Sequence, residues 1–392
     1  HGLWRVVSES GESPAATAAA GRPHTDVALV CFRGAGAAPR VIARAVYDTK
    51  PLASHNGAYV REKSAQMILR EVARCLRDGT PADLGPLPAV ATPPPPALPG
   101  YVGRSLRGGY LRLRHRIAGK QGYLPRAFGL KIGRGTAADF DPLAARPVPM
   151  PRISLWADPF LIRRGEETWC FFEDVDPARG FGHISAGRVT EQGLVDVQTV
   201  MRQPHHMSFP FVFWHEGELL MMPEVHAAGR LEIWRCTDFP GKWDLYSTAF
   251  EGTPCADSVL FRRGEEWWLF THQSRDSFGD FCSDLHIYRV DGPALNRLVP
   301  HRLNPVVTDA ATARGGGRIH VTDDGRVLRF SQDNSGGSYG WGLNAMEILR
   351  LDLDHYEERR VRHVRPDFAP GLIGCHHFDA SDGWFVIDVR YA

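Results

Sequence analysis

The chain has 392 residues, 43% of them hydrophobic and 10% aromatic, which is enough to bury more than one core, so we expect two domains. Its 46 Lys and Arg nearly balance its 45 Asp and Glu, and the net charge therefore gives no reason to expect nucleic acid or an anionic membrane as a partner. No apolar run approaches the roughly 20 residues of a membrane-spanning helix, and no signal peptide is visible, although the chain starts at His1 without Met.

The seven cysteines are scattered along the chain without paired spacing. An odd, unpatterned set is typical of reduced core thiols rather than of a disulfide framework or a zinc site. We therefore expect a cytoplasmic protein.

Residues 1–85 have the pattern of a small α/β segment. Apolar runs at Val27–Phe32 and Val41–Tyr47 predict two strands, and the stretch Gly57–Arg77 predicts a helix. The apolar face of that helix would hold Met67, Ile68, Val72 and Leu76.

Residues 86–103 predict a linker, because the Pro-rich stretch Pro86–Pro99 can neither continue a helix nor pair as a central strand. The basic segment Arg104–Lys131 alternates apolar and basic residues at Tyr110–Arg114 and at Ala127–Ile132. This alternation favours strands with one solvated face over a nucleic-acid-binding tail. We expect one of these strands to pair with the last repeat of the chain and so cover an open sheet edge.

Residues 104–392 carry a repeat in which a polar residue opens a short apolar strand, a charged Gly turn follows, and a second polar residue closes the returning strand. The clearest copies are Asp158–Glu173 and Asp257–His272. Further copies span Phe209–Glu224, Gly317–Gln332 and Cys375–Asp388. The copies recur at roughly 50 to 60 residues, the scale of one four-stranded blade. The sequence therefore predicts a mainly β fold, a five-bladed β-propeller behind a small N-terminal α/β segment.

The residues that open the repeats should converge, because the first strand of each propeller blade starts near the central axis. Converging carboxylates suit cleavage of a glycosidic bond, which needs one carboxyl group as the acid and another as base or nucleophile. The candidate catalytic residues are Asp158, Glu224 and Asp257. In the structural alternative, Asp158 accepts turn hydrogen bonds at a strand entrance, and Glu173 and Glu224 are solvated strand ends.

A second group of polar residues is expected to line the same funnel and to bind sugar hydroxyls. This group comprises Glu173, Ser208, His272, Arg318, Gln332, Asp333, Trp341 and His376. Arg318 follows three glycines and could instead form an internal salt bridge to Asp158 or Asp257. Trp341, in the glycine-rich loop Ser335–Gly342, could stack on a sugar ring or belong to a blade core.

Two pairs of adjacent histidines, His205–His206 and His376–His377, do not predict a metal site. Neighbouring residues of a strand point to opposite faces, so such a pair rarely binds a single ion. The sequence also has no dedicated calcium loop. We therefore expect neither a metal nor another cofactor.

Short motifs in a fixed order give the second part of the chain a family resemblance. They are Trp156–Leu161, Phe171–Glu173, Ser208–Phe213, Met222–Glu224, Ala256–Val259, Gly316–Arg318 and Ser331–Asp333. Over residues 120–392 the series resembles the N-terminal propeller domain of plant glucosamine inositolphosphorylceramide transferases and its bacterial relatives. That domain is itself similar to the five-bladed propellers of arabinanase-type and invertase-type glycoside hydrolases. In the plant proteins a separate C-terminal domain carries out sugar transfer, so the resemblance does not imply the transferase reaction for this chain.

The resembling hydrolases imply roles for the acidic residues. Their first repeat supplies an Asp before Pro, which matches Asp158, and a later repeat supplies a Glu acid, for which Glu224 is the best match. Asp257 would then raise the pKa of that acid or orient it. The match is incomplete, because Glu224 ends a strand and the second copy opens at Ser208 and Phe209 without an acid.

The first segment more faintly resembles the C-terminal half of a formyltransferase-like domain, a type found fused ahead of this propeller in bacteria. The resemblance rests on His1–Trp4 and Val46–Leu76. The catalytic Asn and His of that family would lie upstream of His1, so formyl transfer by this chain is not expected.

The sequence leaves two functions open. The favoured one is a carbohydrate-active enzyme that hydrolyses or transfers a glycosyl unit. The alternative is a catalytically silent propeller that recognises a glycan or glycolipid head group for a fused or partner glycosyltransferase. In both cases the expected partner is a glycan or glycoconjugate, with no nucleic acid and no membrane span.

Overall fold

The computed structural model describes residues 2–34, 37–89, 93–94, 96, 98–120, 128–151, 154–176 and 180–392. The fold is mainly β, and its longer helices lie before residue 121. Within these ranges, no helix combines the length and the apolar character needed to cross a bilayer.

The N-terminal segment is a three-stranded antiparallel sheet that packs against a long helix. Its elements are β1 (Leu3–Val7), α1 (Pro14–Ala20), β2 (His24–Phe32), β3 (Arg40–Asp48) and α2 (Ala53–Asp78). Strands β2 and β3 share a core with Tyr59 and Met67 of α2, so the predicted strands and helix are confirmed. Val72 and Leu76 are exposed, however, and the buried face of α2 differs from the predicted one.

The segment that follows corrects two predictions. Helix α3 (Leu98–Lys120) includes Tyr110–Arg114, which was expected to be a strand, and starts before the predicted end of the linker at residue 103. The helix can begin within the Pro-rich stretch because Pro99 lies in its first turn, where a backbone N–H has no helical partner. Apolar residues that recur every three or four positions outweigh the local alternation. Ala127 and residues 90–92, 95 and 97 of the linker lie outside the described residues.

The rest of the chain forms antiparallel sheets in chain order. After β4 (Phe128–Arg134) and β5 (Arg146–Pro147), the first sheet contains β6 (Leu155–Arg164), β7 (Glu167–Asp176), β8 (Phe181–Thr190) and β9 (Gly193–Met201). The second contains β10 (Ser208–His215), β11 (Glu218–Glu224), β12 (Leu231–Asp238) and β13 (Lys242–Ala249), with a 3-10 turn at His226–Ala228. The third contains β14 (Ala256–Arg263), β15 (Glu266–His272), β16 (Asp284–Val290), β17 (Leu298–Pro300) and β18 (Val307–Thr308).

The last two groups of strands are joined by a parallel bridge between Gly317 and Phe378. The fourth group contains β19 (Gly315–Val321), β20 (Val327–Asp333), β21 (Gly342–Leu351) and β22 (Tyr356–Val364). The last contains β23 (Leu372–Gly374), β24 (Phe378–Ser381) and β25 (Trp384–Tyr391). Strand β4 pairs antiparallel with β25, so a strand that overlaps the basic segment completes the last repeat, as predicted.

The first strands of the groups contact one another in succession. Strand β6 contacts β10, β10 contacts β14, β14 contacts β19, β19 contacts β24, and β24 contacts β6 again. Apolar side chains from the first four groups form one shared core. These contacts bring the starts of the first strands close together.

A β-bulge interrupts the first strand of several groups at the same place. The register shifts lie between Ala157 and Phe160, Ser208 and Phe211, Ala256 and Val259, and Gly315 and Ile319. The backbone φ inside the bulge is 50° at Asp158, 47° at Phe209 and 42° at Asp257. Because a bulge redirects the side chain it carries, the bulges help to set the directions of Asp158 and Asp257.

The N-terminal segment docks on the β domain through α2. Lys63 is fully buried, and its Nζ lies 2.7 Å from Asp276, 3.1 Å from Asp280 and 2.9 Å from Asp284. Asp276 and Asp280 belong to the connection from β15 to β16 and Asp284 is the first residue of β16, so a single ammonium group ties this part of the β domain to the helix.

Candidate functional site

Asp158 lies at the start of β6, buried among the converging strands. Its backbone N–H donates to Asp388 Oδ2 at 3.2 Å, and its own Oδ2 accepts the N–H of Phe209 at 3.3 Å. Its Oδ1 faces His376 Nε2 at 3.4 Å and His377 Nδ1 at 3.6 Å. Burial raises the pKa of Asp158 to about 7, and the positive charge of His376 opposes that rise. This carboxyl group therefore changes its protonation near neutral pH.

His376 and Asp388 form a buried pair beside Asp158. His376 Nδ1 lies 2.8 Å from Asp388 Oδ2, while Asp388 Oδ1 accepts the backbone N–H groups of His376 and His377, each at 3.0 Å. Burial alone would lower the pKa of His376, but the charge and hydrogen bond of Asp388, together with the charges of Asp158 and Asp257, outweigh burial, and that pKa is raised. The cationic form of the ring is therefore favoured between the two carboxyl groups. Asp388 was not among the predicted site residues, although its position at the end of the fifth repeat marks it.

A second cluster centres on Arg314, which was not among the site residues predicted from the sequence. Its Nε lies 2.6 Å from Asp257 Oδ2, and its Nη2 lies 3.4 Å from Glu224 Oε2. Glu224 Oε2 also accepts the backbone N–H of Asp257 at 3.2 Å. Burial raises the pKa of Asp257 to about 7, against the effect of Arg314. The available signal was the glycine run Gly315–Gly317, which has an arginine on each side, of which only Arg318 was considered.

Glu173 closes the first repeat and is buried between the two clusters. Its pKa is raised well above the ordinary value, first by burial and then by the charges of Asp158 and Glu224. Its Oε1 lies 3.3 Å from His206 Nε2. Because His206 Nδ1 accepts the N–H of Gly182 at 2.8 Å, the proton of the neutral ring lies on Nε2 and points at Glu173. Burial and the surrounding negative charge thus favour the protonated form of Glu173.

Gln332 and His272 support the Arg314 cluster from within the fold. Gln332 Nε2 donates to Asp257 Oδ2 at 3.0 Å and to the carbonyl of Gly315 at 2.9 Å. His272 Nδ1 donates to the carbonyl of Asp284 at 3.1 Å, and its Nε2 accepts the N–H of Gly315 at 2.8 Å. These bonds leave neither nitrogen of His272 free for a sugar hydroxyl, which differs from its predicted role.

Arg318 connects strands rather than the two acidic clusters. Its Nε lies 3.1 Å from Asp379 Oδ1, and its Nη2 donates to the carbonyls of Leu161 at 3.2 Å and Val212 at 2.8 Å. The alternative prediction for Arg318 was an internal salt bridge to Asp158 or Asp257. The salt bridge is present, but the partner is Asp379.

Asp333 and Trp341 hold the ends of the loop Ser335–Gly342. Asp333 Oδ1 accepts the hydroxyl of Ser335 at 2.6 Å, and its Oδ2 lies 3.0 Å from His363 Nε2. The ring of Trp341 is half-buried, 5.7 Å from the ring of His363. Both residues therefore shape the loop.

The same loop brings Tyr339, which was not predicted, to the site. Its ring centre lies 5.3 Å from that of His376 and 5.4 Å from the guanidinium of Arg314. Ser208, a predicted ligand, is buried opposite Glu224 in the pairing of β10 with β11. The ring of Tyr339 and the hydroxyl-bearing start of β10 therefore both border the site.

One set of side chains has the composition of a metal site. Within the described ranges, Asp158, His376 and Asp388 can each offer a ligand atom, with these atoms within 4.8 Å of one another. Two carboxylates and an imidazole suit a divalent cation. The expected absence of a metal stays a prediction.

The fold is mainly β, and its repeats bring buried carboxylates, an imidazolium and a guanidinium to one centre. The protein is therefore a β-repeat protein with a buried, charged site. Its family is shown by sequence. The family described as "Glucosamine inositolphosphorylceramide transferase 1, N-terminal" matches residues 149–368, and the chain belongs to it.

Curated relatives share this part of the chain. Glucosamine inositolphosphorylceramide transferase 1 of Oryza sativa subsp. japonica is 30% identical over 244 residues, which cover 59% of this chain and 32% of the relative. The Arabidopsis thaliana protein of the same name is 30% identical over 242 residues, with 59% and 31% covered. The chain thus spans about a third of the length of these relatives.

Solved structures with a similar backbone fold include glycoside hydrolases. Zg3597, a family 117 glycoside hydrolase of Zobellia galactanivorans, has a TM-score of 0.43 and 11% identity, covering 68% of this chain and 90% of its own. An α-L-arabinofuranosidase from Lactobacillus brevis has a TM-score of 0.43 and 16% identity, covering 64% and 84%. The formyltransferase-like character of the first segment stays a prediction.

Proposed function

We propose that the β domain is a closed five-bladed propeller. The successive contacts from β6 through β10, β14, β19 and β24 back to β6 support this arrangement. The pairing of β4 with β25 supports closure as well, since it joins the beginning of the domain to its last repeat and protects a sheet edge.

We propose that the centre of this domain is a glycosidase-type site, which hydrolyses or transfers a glycosyl unit of a glycan or glycoconjugate. The observation that carries the proposal is the contrast between two buried carboxyl groups. The pKa of Glu173 is raised well above its ordinary value by burial and by surrounding negative charge, whereas the pKa of Asp158 is raised only to about 7 because the charge of His376 opposes the effect of burial. Two carboxyl groups whose pKa values are pushed apart in this way can serve as the acid and as the base or nucleophile of glycosidic cleavage.

The mechanism assigns each group a step. Glu173 donates its proton to the glycosidic oxygen as the bond to the anomeric carbon breaks. Asp158 either takes a proton from the attacking water or attacks the anomeric carbon itself. Glu224 and Asp257, held by Arg314, accept hydrogen bonds from sugar hydroxyls. The acid role therefore moves from Glu224 to Glu173.

A second candidate function is recognition of a glycan or glycolipid head group without turnover. The observation in its favour is that Asp158 uses both carboxyl oxygens within the protein, toward Phe209 and His376. The relatives' name specifies a glucosamine and an inositolphosphorylceramide, and the chain spans about a third of their length. In this case the propeller serves a fused or partner glycosyltransferase.

The deciding experiment is a screen on a glycan array and on aryl glycosides. It compares the wild type with Asp158→Asn and Glu173→Gln, and uses Glu216→Gln as the control because Glu216 lies exposed in the turn between β10 and β11. Loss of turnover with retained binding in the two site variants would support the enzyme. Binding without turnover in all four proteins would establish the recognition module, and neither binding nor turnover would overturn both functions.

A further inference from the structure

Helix α3 carries an apolar stripe that the described part of the chain leaves exposed. The stripe consists of Leu98, Val102, Leu106, Tyr110, Leu113 and Ile117. Spacings of three and four residues place these side chains on one face of the helix. Each of them is between 47% and 71% exposed. Contiguous exposed apolar surface of this kind marks an interaction site more often than scattered apolar residues do.

Another face of α3 is anchored to the N-terminal segment. The hydroxyl of Tyr101 accepts the N–H of Ala53 at 3.1 Å, at the start of α2. Arg104 donates to the carbonyl of Ala19, in the last turn of α1. The anchored residues are rotated around the helix axis from the stripe, so the stripe faces away from the N-terminal segment.

The charge around the stripe is of one sign. The sequence has no Asp or Glu between Asp83 and Asp139, although Arg and Lys are frequent there. Arg107 and Arg114 are exposed and lie three and four residues from Tyr110, along one edge of the stripe. The balanced net charge of the whole chain conceals this local excess, because the acidic residues lie elsewhere.

We propose that α3 docks the protein on an anionic membrane surface. The helix lies in the plane of the interface, its stripe enters the boundary between head groups and acyl chains, and its arginines contact anionic lipids. An apolar face with cationic flanks is complementary to such a surface, whereas a second copy of the same helix would bring like charges together.

Docking would also orient the candidate site. The cleft of about 310 Å³ between α3 and the N-terminal segment is lined by Arg104 and Gly108 together with Gly337. Gly337 belongs to the loop Ser335–Gly342, which brings Tyr339 to the site. A docked helix therefore fixes the orientation of this loop relative to the membrane plane. This last step rests on the proposed function, but the docking itself does not.

The test is co-flotation of the full chain with phosphatidylcholine vesicles. One set contains no anionic lipid, and the other contains about 30 mol% phosphatidylserine, which gives it a negative surface potential. We expect binding to the anionic vesicles only. Arg107→Gln combined with Arg114→Gln should weaken it about thirtyfold, since each basic residue contributes about 1 kcal/mol near an anionic surface. Leu106→Gln combined with Leu113→Gln should abolish it.

The matched control is Leu245→Gln combined with Leu349→Gln, which changes two exposed leucines of the β domain and should bind as the wild type does. Circular dichroism and thermal unfolding check that each variant is folded.

Failure to float with either vesicle, or equal binding by the Leu106/Leu113 variant, would overturn the proposal. A dimer in light scattering that dissociates in that variant, without vesicle binding, would assign the stripe to a second copy. Saturable capture of an acidic protein without vesicle binding would likewise overturn membrane docking. Aryl-glycoside turnover is assayed separately, so a failure of docking is distinguished from a failure of the proposed function.

Discussion

Arg314 binds Asp257 through two nitrogens, with Nε 2.6 Å from Oδ2 and Nη2 3.2 Å from Oδ1. The same guanidinium reaches Glu224 at 3.4 Å. One buried cation therefore holds two carboxylates of the site in place, and its removal would leave both without a counter-charge.

Arg314→Met should lower the free energy of unfolding by about 3 to 5 kcal/mol, because it strands the buried carboxylate of Asp257. Urea unfolding followed by circular dichroism measures the change. Arg326→Met is the matched control, since Arg326 pairs with Asp324 at the exposed surface and its loss should cost less than about 0.5 kcal/mol. Equal losses in the two variants would contradict the role given to Arg314.

The burial of Asp158 predicts a direction for the pH dependence of stability. The folded-state pKa of Asp158 is raised to about 7, so the folded protein keeps a proton that the unfolded chain releases at lower pH. Stability from this group is complete below the ordinary pKa of aspartic acid and is lost as the pH rises through 7. The raised pKa of His376 acts in the same direction. Relative to Asp158→Asn, the wild type should lose on the order of 2 kcal/mol between about pH 5 and pH 8.

Denaturant titrations at several pH values measure this difference. Buried histidines with lowered pKa values, such as His272 and His377, oppose the trend, because they favour the folded state only when the pH is high enough to keep them neutral. The two proteins share these histidines, so their effect largely cancels in the comparison. A wild type that gains stability over Asp158→Asn as the pH rises would refute the assignment.

The repeat made part of the site predictable from sequence. Asp158 and Asp257 occupy the same place in two nearly identical copies, and their common environment follows from that place. Arg314 precedes a glycine run and Asp388 closes the fifth repeat, but these local signals do not reveal their partners, which lie 57 and 230 residues away. The protonation of Glu173 also depends on charges contributed by other repeats.

Helix α3 shows the reverse problem, in which a local pattern was misleading. The alternation in Tyr110–Arg114 fits a strand within five residues, but the apolar spacing from Leu98 to Ile117 fits a helix over five turns. The longer window carries more information, because the helical period cannot be distinguished from alternation over a few residues. The exposed apolar face of this helix was not predicted, because the segment was interpreted as strands with one solvated face.

Lys63→Met should destabilise the protein by about 3 to 5 kcal/mol at neutral pH, since the buried carboxylates of Asp276, Asp280 and Asp284 would lose their shared cation. The loss should shrink under mildly acidic conditions, where the stranded carboxyl groups take up protons. Thermal and urea unfolding at both pH values measure it. Lys242→Met, which removes an exposed pair with Asp238, should change little. An unfolding midpoint for Lys63→Met that matches this control would show that the cluster does not hold α2 to the β domain.

Glu173→Gln tests the proposed acid through the leaving group of the substrate. On aryl glycosides with a poor leaving group the variant should lose about 100- to 10,000-fold in kcat, because the departing oxygen no longer receives a proton. On a dinitrophenyl glycoside the loss should be far smaller, since that leaving group departs without protonation. Asp158→Asn should lose activity on both substrates, and Glu216→Gln on neither. Steady-state kinetics on the substrate pair separates these cases, and equal losses for Glu173→Gln on both would return the acid role to Glu224.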